Sequence, residues 1–140
     1  MNAIAQTAKL IETFFVQRWA TLETSVPMGW WNVPFAQPTT GLFGKASIQF
    51  GDAIQSSIGS RPLEKMVGFL AVQIFSPKNE GTRQAMLVAD NVAGVVRYVQ
   101  LTGEGVTVDF RAPSISEAIE LKDHLQLTVR MPFRSQHITE

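Results

Sequence analysis

The chain has 140 residues, 45% of them hydrophobic and 17% charged, which fits one globular domain and not a disordered segment. Twelve Lys plus Arg against twelve Asp plus Glu leave no net charge, so there is no general attraction to nucleic acid. The absence of cysteine excludes a disulfide framework and a thiolate site. No basic region precedes an apolar core at the N-terminus, and no run approaches the roughly 18 apolar residues of a membrane span, so the composition reads as soluble and unsecreted.

Ile4, Ala8, Ile11, Phe15, Trp19 and Leu22 recur at steps of three and four, one face of an α-helix, and Leu10 and Phe14 widen it. The spacing predicts a helix from Asn2, a candidate N-cap, to about Thr21. From Glu23 to Gly44, prolines at 27, 34 and 38 and glycines at 29, 41 and 44 argue for an aromatic-rich loop holding Trp30, Trp31, Phe35 and Phe43. Ala46, Ile48 and Phe50 alternate with Ser47 and Gln49 as a short half-buried strand, and Gly51 to Pro62 reads as a Ser/Gly-rich loop. Leu63 to Phe75 is the longest β-like run. It is apolar on both alternating sets, as in a central strand covered on both faces, and Gly68 inside it suggests a bulge or a close backbone approach.

After a turn at Pro77 to Gly81, the steps of Ala85, Ala89, Val92, Val96 and Val99 predict a second helix, about Thr82 to Val99. Gly103-Glu104-Gly105 then follows a helix instead of opening one, which makes it a helix stop and turn and not a phosphate cradle. Val106, Val108 and Phe110 alternate as a strand. Between Ser114 and Leu121 a capping box (Ser114, Glu117) competes with a strand pattern; the strand is preferred, with Lys122-Asp123 as a tight turn. Leu125, Leu127, Val129, Met131 and Phe133 give a period of two opposite Gln126, Thr128 and Arg130, and Ser135 to Glu140 is expected to fray.

The order α-β-β-α-β-β-β predicts a single domain over 1–140 of the α+β class. Its sheet is mostly antiparallel or mixed, with two amphipathic helices packed on one face. The expected core joins Ile4, Ile11, Phe15 and Trp19 to Phe69, Ala71 and Val129 of the sheet and to Val92 and Val96 of the second helix. The other sheet face, with Ser47, Gln49, Thr107, Asp109, Thr128 and Arg130, would meet water or another subunit.

Chemistry is sparse. His124 and His137 cannot form a metal site without carboxylate help, and His124 beside Asp123 reads as a solvated turn pair. The serines of Gln55 to Ser60 lack nucleophile-elbow spacing, and Glu117 and Glu120 read as a solvated face, so neither an enzyme nor a cofactor is expected. The aromatic loop has two readings: a lid folded over a helix end, or an anchor for a partner. No Arg or Lys lies between Trp19 and Gly44 to accompany base stacking, so sequence-specific nucleic-acid binding is not expected there. The candidate contact residues are Trp30, Trp31, Phe35, Phe43, Ile54, Ser57, Arg111 and Arg130.

Trp31-Asn32-Val33-Pro34-Phe35, the run Gly68 to Pro77, Gly81, Val88-Ala89-Asp90 and Val129 to Phe133 together resemble, in order, the pattern of tail-terminator proteins of long-tailed phages. That resemblance implies a small α+β subunit in a homohexameric ring that caps the head-proximal end of the tail tube, stops its growth and offers the head-joining surface. It also implies a virion location after assembly in the host cytoplasm. The implied partners are further copies of the chain, the major tail-tube protein and a head-completion or neck protein, with genome DNA passing through the ring and no membrane contact. Gly51 to Pro62 and the aromatic loop match no motif of the pattern. Competing readings are another neck or tail-completion protein and a small-molecule-binding α+β domain, which would show one deep pocket with convergent polar groups.

Overall fold

Thr7, Ile11, Phe15 and Trp19 fall on one stripe of the first helix and are all buried, which turns that stripe toward a sheet. The computed structural model describes residues 3–22, 26–30, 41–55, 63–77, 83–103, 105–116, 118–121 and 124–138, with the side chains of 3, 22, 52–55, 63 and 138 left aside. Among these the elements are α1 (Ala3–Leu22), β1 (Met28–Trp30), β2 (Phe43–Gln55), β3 (Leu63–Pro77) and α2 (Arg83–Val96). They are followed by β4 (Gln100–Gly103), β5 (Val106–Phe110), β6 (Ser114–Ile115), β7 (Ile119–Glu120) and β8 (His124–Ile138).

One mixed sheet runs in the order β1-β2-β3-β8-β5-β4, with β6 and β7 also paired to β8. Only β1 pairs in parallel, with β2; the other ladders are antiparallel. Its spine is β3 against β8, paired from Leu63↔Ile138 to Pro77↔His124. Both helices cover one face, where Leu70, Val72 and Ile74 of β3, Leu127, Val129 and Met131 of β8 and Val88, Val92 and Val96 of α2 meet Ile11 and Phe15. The fold is α+β, as the pattern of residues predicts.

Several expectations need correction. Ile4 is 56% exposed and is not core; the first buried position of the helix is Thr7, whose hydroxyl hydrogen-bonds the buried Ser135 hydroxyl at 2.7 Å. Phe69 and Ala71 lie on the face away from the helices, because the apolar set of β8 pairs with Leu70, Val72 and Ile74 and residues directly opposite share a face. The segment read as an aromatic loop contains β1, which is secured by the Gly44 N–H donating to the Pro27 carbonyl at 2.9 Å. The second strand extends well beyond Ala46 to Phe50. A Cβ on Gly44 would lie 2.7 Å from the Met28 sulfur, and past Phe50 a register shift, with Phe50 opposite Gly68 but Ala53 opposite Met66, carries the strand into the supposed Ser/Gly loop.

The second helix ends at Val96 instead of Val99. Tyr98 takes a left-handed φ of 56°, and the Val99 N–H donates to the Val96 carbonyl, so the chain turns into the unforeseen β4. Gly105, at φ 83°, thus lies between two hairpin strands and not at a helix stop. At the far end β8 runs to Ile138 without fraying through Ser135 and His137, both buried, because Thr7 and the neighbouring strands cover them. The close approach expected at Gly68 is present: a Cβ there would collide with the Gln49 carbonyl oxygen. The strand preference over 114–121 also holds, as two short bridges to β8; Asn2, Glu117 and the Lys122-Asp123 turn lie outside the described residues.

Candidate functional site

Because β2, β3 and β8 are in fixed register, the face away from the helices is a grid. Ser47 pairs with Ala71 and Ala71 with Arg130; Lys45 pairs with Gln73 and Gln73 with Thr128; Gln49 pairs with Phe69. A depression of about 340 Å³ lies on this grid, lined among others by Ser47, Gln49, Phe69, Gln73, Thr128 and Arg130. The Arg130 guanidinium sits 5.2 Å above the Phe69 ring, a cation–π contact that flattens both side chains along the sheet. Further along, Arg134 pairs with Asp109, and Asp109 Oδ1 accepts from Gln100 Nε2 at 2.8 Å. Two buried polar atoms of this face, Gln73 Oε1 and Arg134 Nε, have no hydrogen-bond partner among the described residues. The face is therefore polar, with one unpaired acceptor, Gln73 Oε1, and one unpaired donor, the Arg134 Nε–H, beneath its surface.

The helix face has two apolar depressions near its edge. One, of about 260 Å³, is lined by Phe15, Val16, Trp19, Val26, Met28 and Trp30 and braced by the Trp19 indole N–H donating to the Val26 carbonyl at 3.1 Å. The other, of about 350 Å³, runs between α1 (Ala8, Glu12) and the outer edge of β2 (Ile48, Phe50) beside Trp30.

The candidate contact residues scatter over these surfaces. Arg130 lies on the open face, and Arg111 is exposed just after β5, its N–H donating to the Pro132 carbonyl. Trp30 packs edge-on against Phe15, with centroids 6.0 Å apart, and Phe43 is 2% exposed, stacked on Phe75 at 4.9 Å. Trp30 thus packs beside the first helix, whereas Phe43 packs on Phe75 and His124 on the face away from the helices. Ile54 is paired with Lys65 in the β2–β3 ladder, while Trp31, Phe35 and Ser57 lie outside the described residues. The residues that sequence reasoning missed are Phe69 and Gln73, because both alternating sets of β3 are apolar enough to serve as core.

Glu120 is exposed, and no group of three or more His, Cys, Asp or Glu is placed to hold a metal ion among the described residues. His137 is buried with Nε2 3.8 Å from a Glu64 oxygen. His124 is half-buried and edge-on to Phe43 and Phe75, at 5.5 and 6.2 Å, which corrects its reading as a solvated turn residue. No described helix is long and apolar enough to cross a membrane.

The sequence profile of the phage tail terminator protein family matches residues 9–133, nearly the whole of the described sheet and both helices. The chain belongs to the phage tail terminator family. That makes it a structural protein of the virion tail. A solved chain of nearly equal length matches this terminator-family chain with a TM-score of 0.71 and 20% identity, over 95% of this chain and 98% of that one. At that identity the likeness speaks to the fold alone. No curated protein matches the sequence.

Proposed function

We propose that this protein closes the head-proximal end of a phage tail tube as a six-membered ring, ends tube polymerisation and provides the surface to which the head is joined. The observation that carries this reading is the terminator-family match over residues 9–133. A ring of identical subunits needs two different, mutually complementary patches on each copy. The polar open face and the depressions at the sheet edge are distinct surfaces, and we assign them to contacts with a neighbouring copy, the tail-tube protein and a neck protein. Genome DNA would then pass through the ring without sequence-specific contact, consistent with the absence of net charge on the chain. The test is native mass spectrometry of the purified chain alone and mixed with tail tubes, together with electron microscopy of tube lengths. Six-membered species and tubes capped at one end are expected. A chain that stays monomeric in both settings and leaves tube growth unaffected would overturn the proposal.

A further inference from the structure

Among the described residues the outer edge of β2 is unpaired past Ala46. β1 covers β2 only at Gly44, Lys45 and Ala46, and among the described residues no strand lies beyond β2 from Ser47 to Gln55. The Gly44 N–H points outward, to Pro27; alternation along the strand therefore turns the N–H and C=O of Ile48 and Phe50 outward as well. Beside this edge runs the groove of about 350 Å³ whose other wall is α1 at Ala8 and Glu12 and whose apolar lining is Trp30, Ile48 and Phe50. An open strand edge next to a helix-walled apolar groove is the arrangement that binds an extended segment by strand addition: the backbone supplies hydrogen bonds and the groove takes alternate side chains.

The same sheet has a second uncovered edge on its far side. The arm 111–121 follows β5 and pairs inward with β8 through β6 and β7, while β4 covers only β5. No strand lies outside it among the described residues. It carries apolar side chains into solvent: Ile115, Ile119 and Leu121 are 44%, 54% and 39% exposed. An uncovered edge with exposed apolar residues is a liability unless something pairs with it.

Strand direction fits the two edges together. β2 is antiparallel to β3, β3 to β8, and β8 to β5, β6 and β7, so the arm runs opposite to β2. Rotation about an axis along the strands preserves direction, so the arm of one copy meets β2 of the next in antiparallel sense. Ile115 lies level with Val129, Val72 and Ala46 across the ladders, whereas the open stretch of β2 begins just past Ala46. The arm must therefore meet its neighbour displaced along the strand, the stagger of any closed sheet with tilted strands.

We infer that copies of this chain join edge to edge, the arm 111–121 of one adding as a strand to the Ser47–Gln55 edge of the next, against α1 and Trp30. The inference rests on the ring reading and names its interface. Hydrogen-exchange mass spectrometry on the segment Ala46–Gly51 tests it, together with the double variant Ile115→Lys/Ile119→Lys, whose sites are exposed and whose fold is checked by circular dichroism and melting. In the assembled wild type this segment should exchange on the order of tenfold or more slowly than in the free chain. The double variant should stay folded and fail to assemble. Assembly with no slowing at Ala46–Gly51, or assembly of the folded double variant as readily as the wild type, would overturn the edge pairing and leave the ring standing. If the wild type never assembles, the ring reading falls, and a capped peptide of residues 111–121 added to the free chain decides the remainder. Slowing of Ala46–Gly51 by the peptide supports the strand-receiving edge, and no slowing overturns it.

Discussion

Replacing Phe15 by Ala tests whether the aromatic layer under α1 holds the helix to the sheet. Phe15 is fully buried, stacked on Trp19 at 6.2 Å and edge-on to Trp30 at 6.0 Å. Truncating a buried Phe costs about 3–5 kcal/mol, and two aromatic pairs worth about 0.5–1.5 kcal/mol each place this site in the upper half of that range. With an unfolding entropy of about 2.1 cal/mol/K per residue, 140 residues give about 0.3 kcal/mol/K, so a loss of about 4–5 kcal/mol should lower the melting temperature by about 13–17 °C. The adjacent Val16, 51% exposed, is the internal control: Val16→Ala should stay within about 0.5 kcal/mol of the parent. Calorimetry on both variants reads the difference. If Phe15→Ala melts within two degrees of the parent, or Val16→Ala loses as much, the packing of α1 deduced above is wrong.

Gly68→Ala should cost about 1–3 kcal/mol or more, because its Cβ would meet the Gln49 carbonyl oxygen, a backbone atom that cannot swing aside; an unchanged melting point would contradict this. Thr7→Val strands the Ser135 hydroxyl and should cost about 1–3 kcal/mol in urea denaturation. Adding Ser135→Ala should then cost less than the two single losses combined, and strict additivity would show that the hydroxyls are not paired. His124→Ala should lose about 0.5–1.5 kcal/mol through its edge contacts with Phe43 and Phe75, where a solvated turn residue would lose nothing measurable.

Periodicity made the long elements legible. The stripe Ile11, Phe15, Trp19, the two- and four-step patterns of α2, β5 and β8, and the close approach at Gly68 all follow from residue spacing alone. Periodicity could not assign the faces of β3, since Val67, Phe69 and Ala71 are as apolar as Leu70, Val72 and Ile74. The cleanly alternating β8 could have assigned them, but only once its register against β3 was known. Elements of three and four residues, β1 and β4, are too short to show a period and owe their existence to β2 and β5. Polar residues near the end of β8 looked like a fraying tail because the partner that buries Ser135 is Thr7, 128 positions away. Of the candidate surfaces, the polar face of β8 and β2 was legible from alternation, whereas Phe43 looked like loop and is packed, and the open edge of β2 depends on what does not pair with it among the described residues.

The position of β8 in the chain has a consequence for synthesis. It is the strand that joins β3 to β5, β6 and β7, and it follows all of them in sequence. While a ribosome is still making residues 124–138, the β2–β3 hairpin and the β4–β5 hairpin have no common neighbour, and the apolar sides of α1 and α2 have only half a surface to cover. Contacts that must wait for a distant segment form late and slowly. A nascent or prematurely ended chain therefore lacks the central ladder of its sheet, and with it the fixed relation between the two outer edges. Until β8 is made, the two edges inferred to join copies of the chain therefore have no fixed relation to one another.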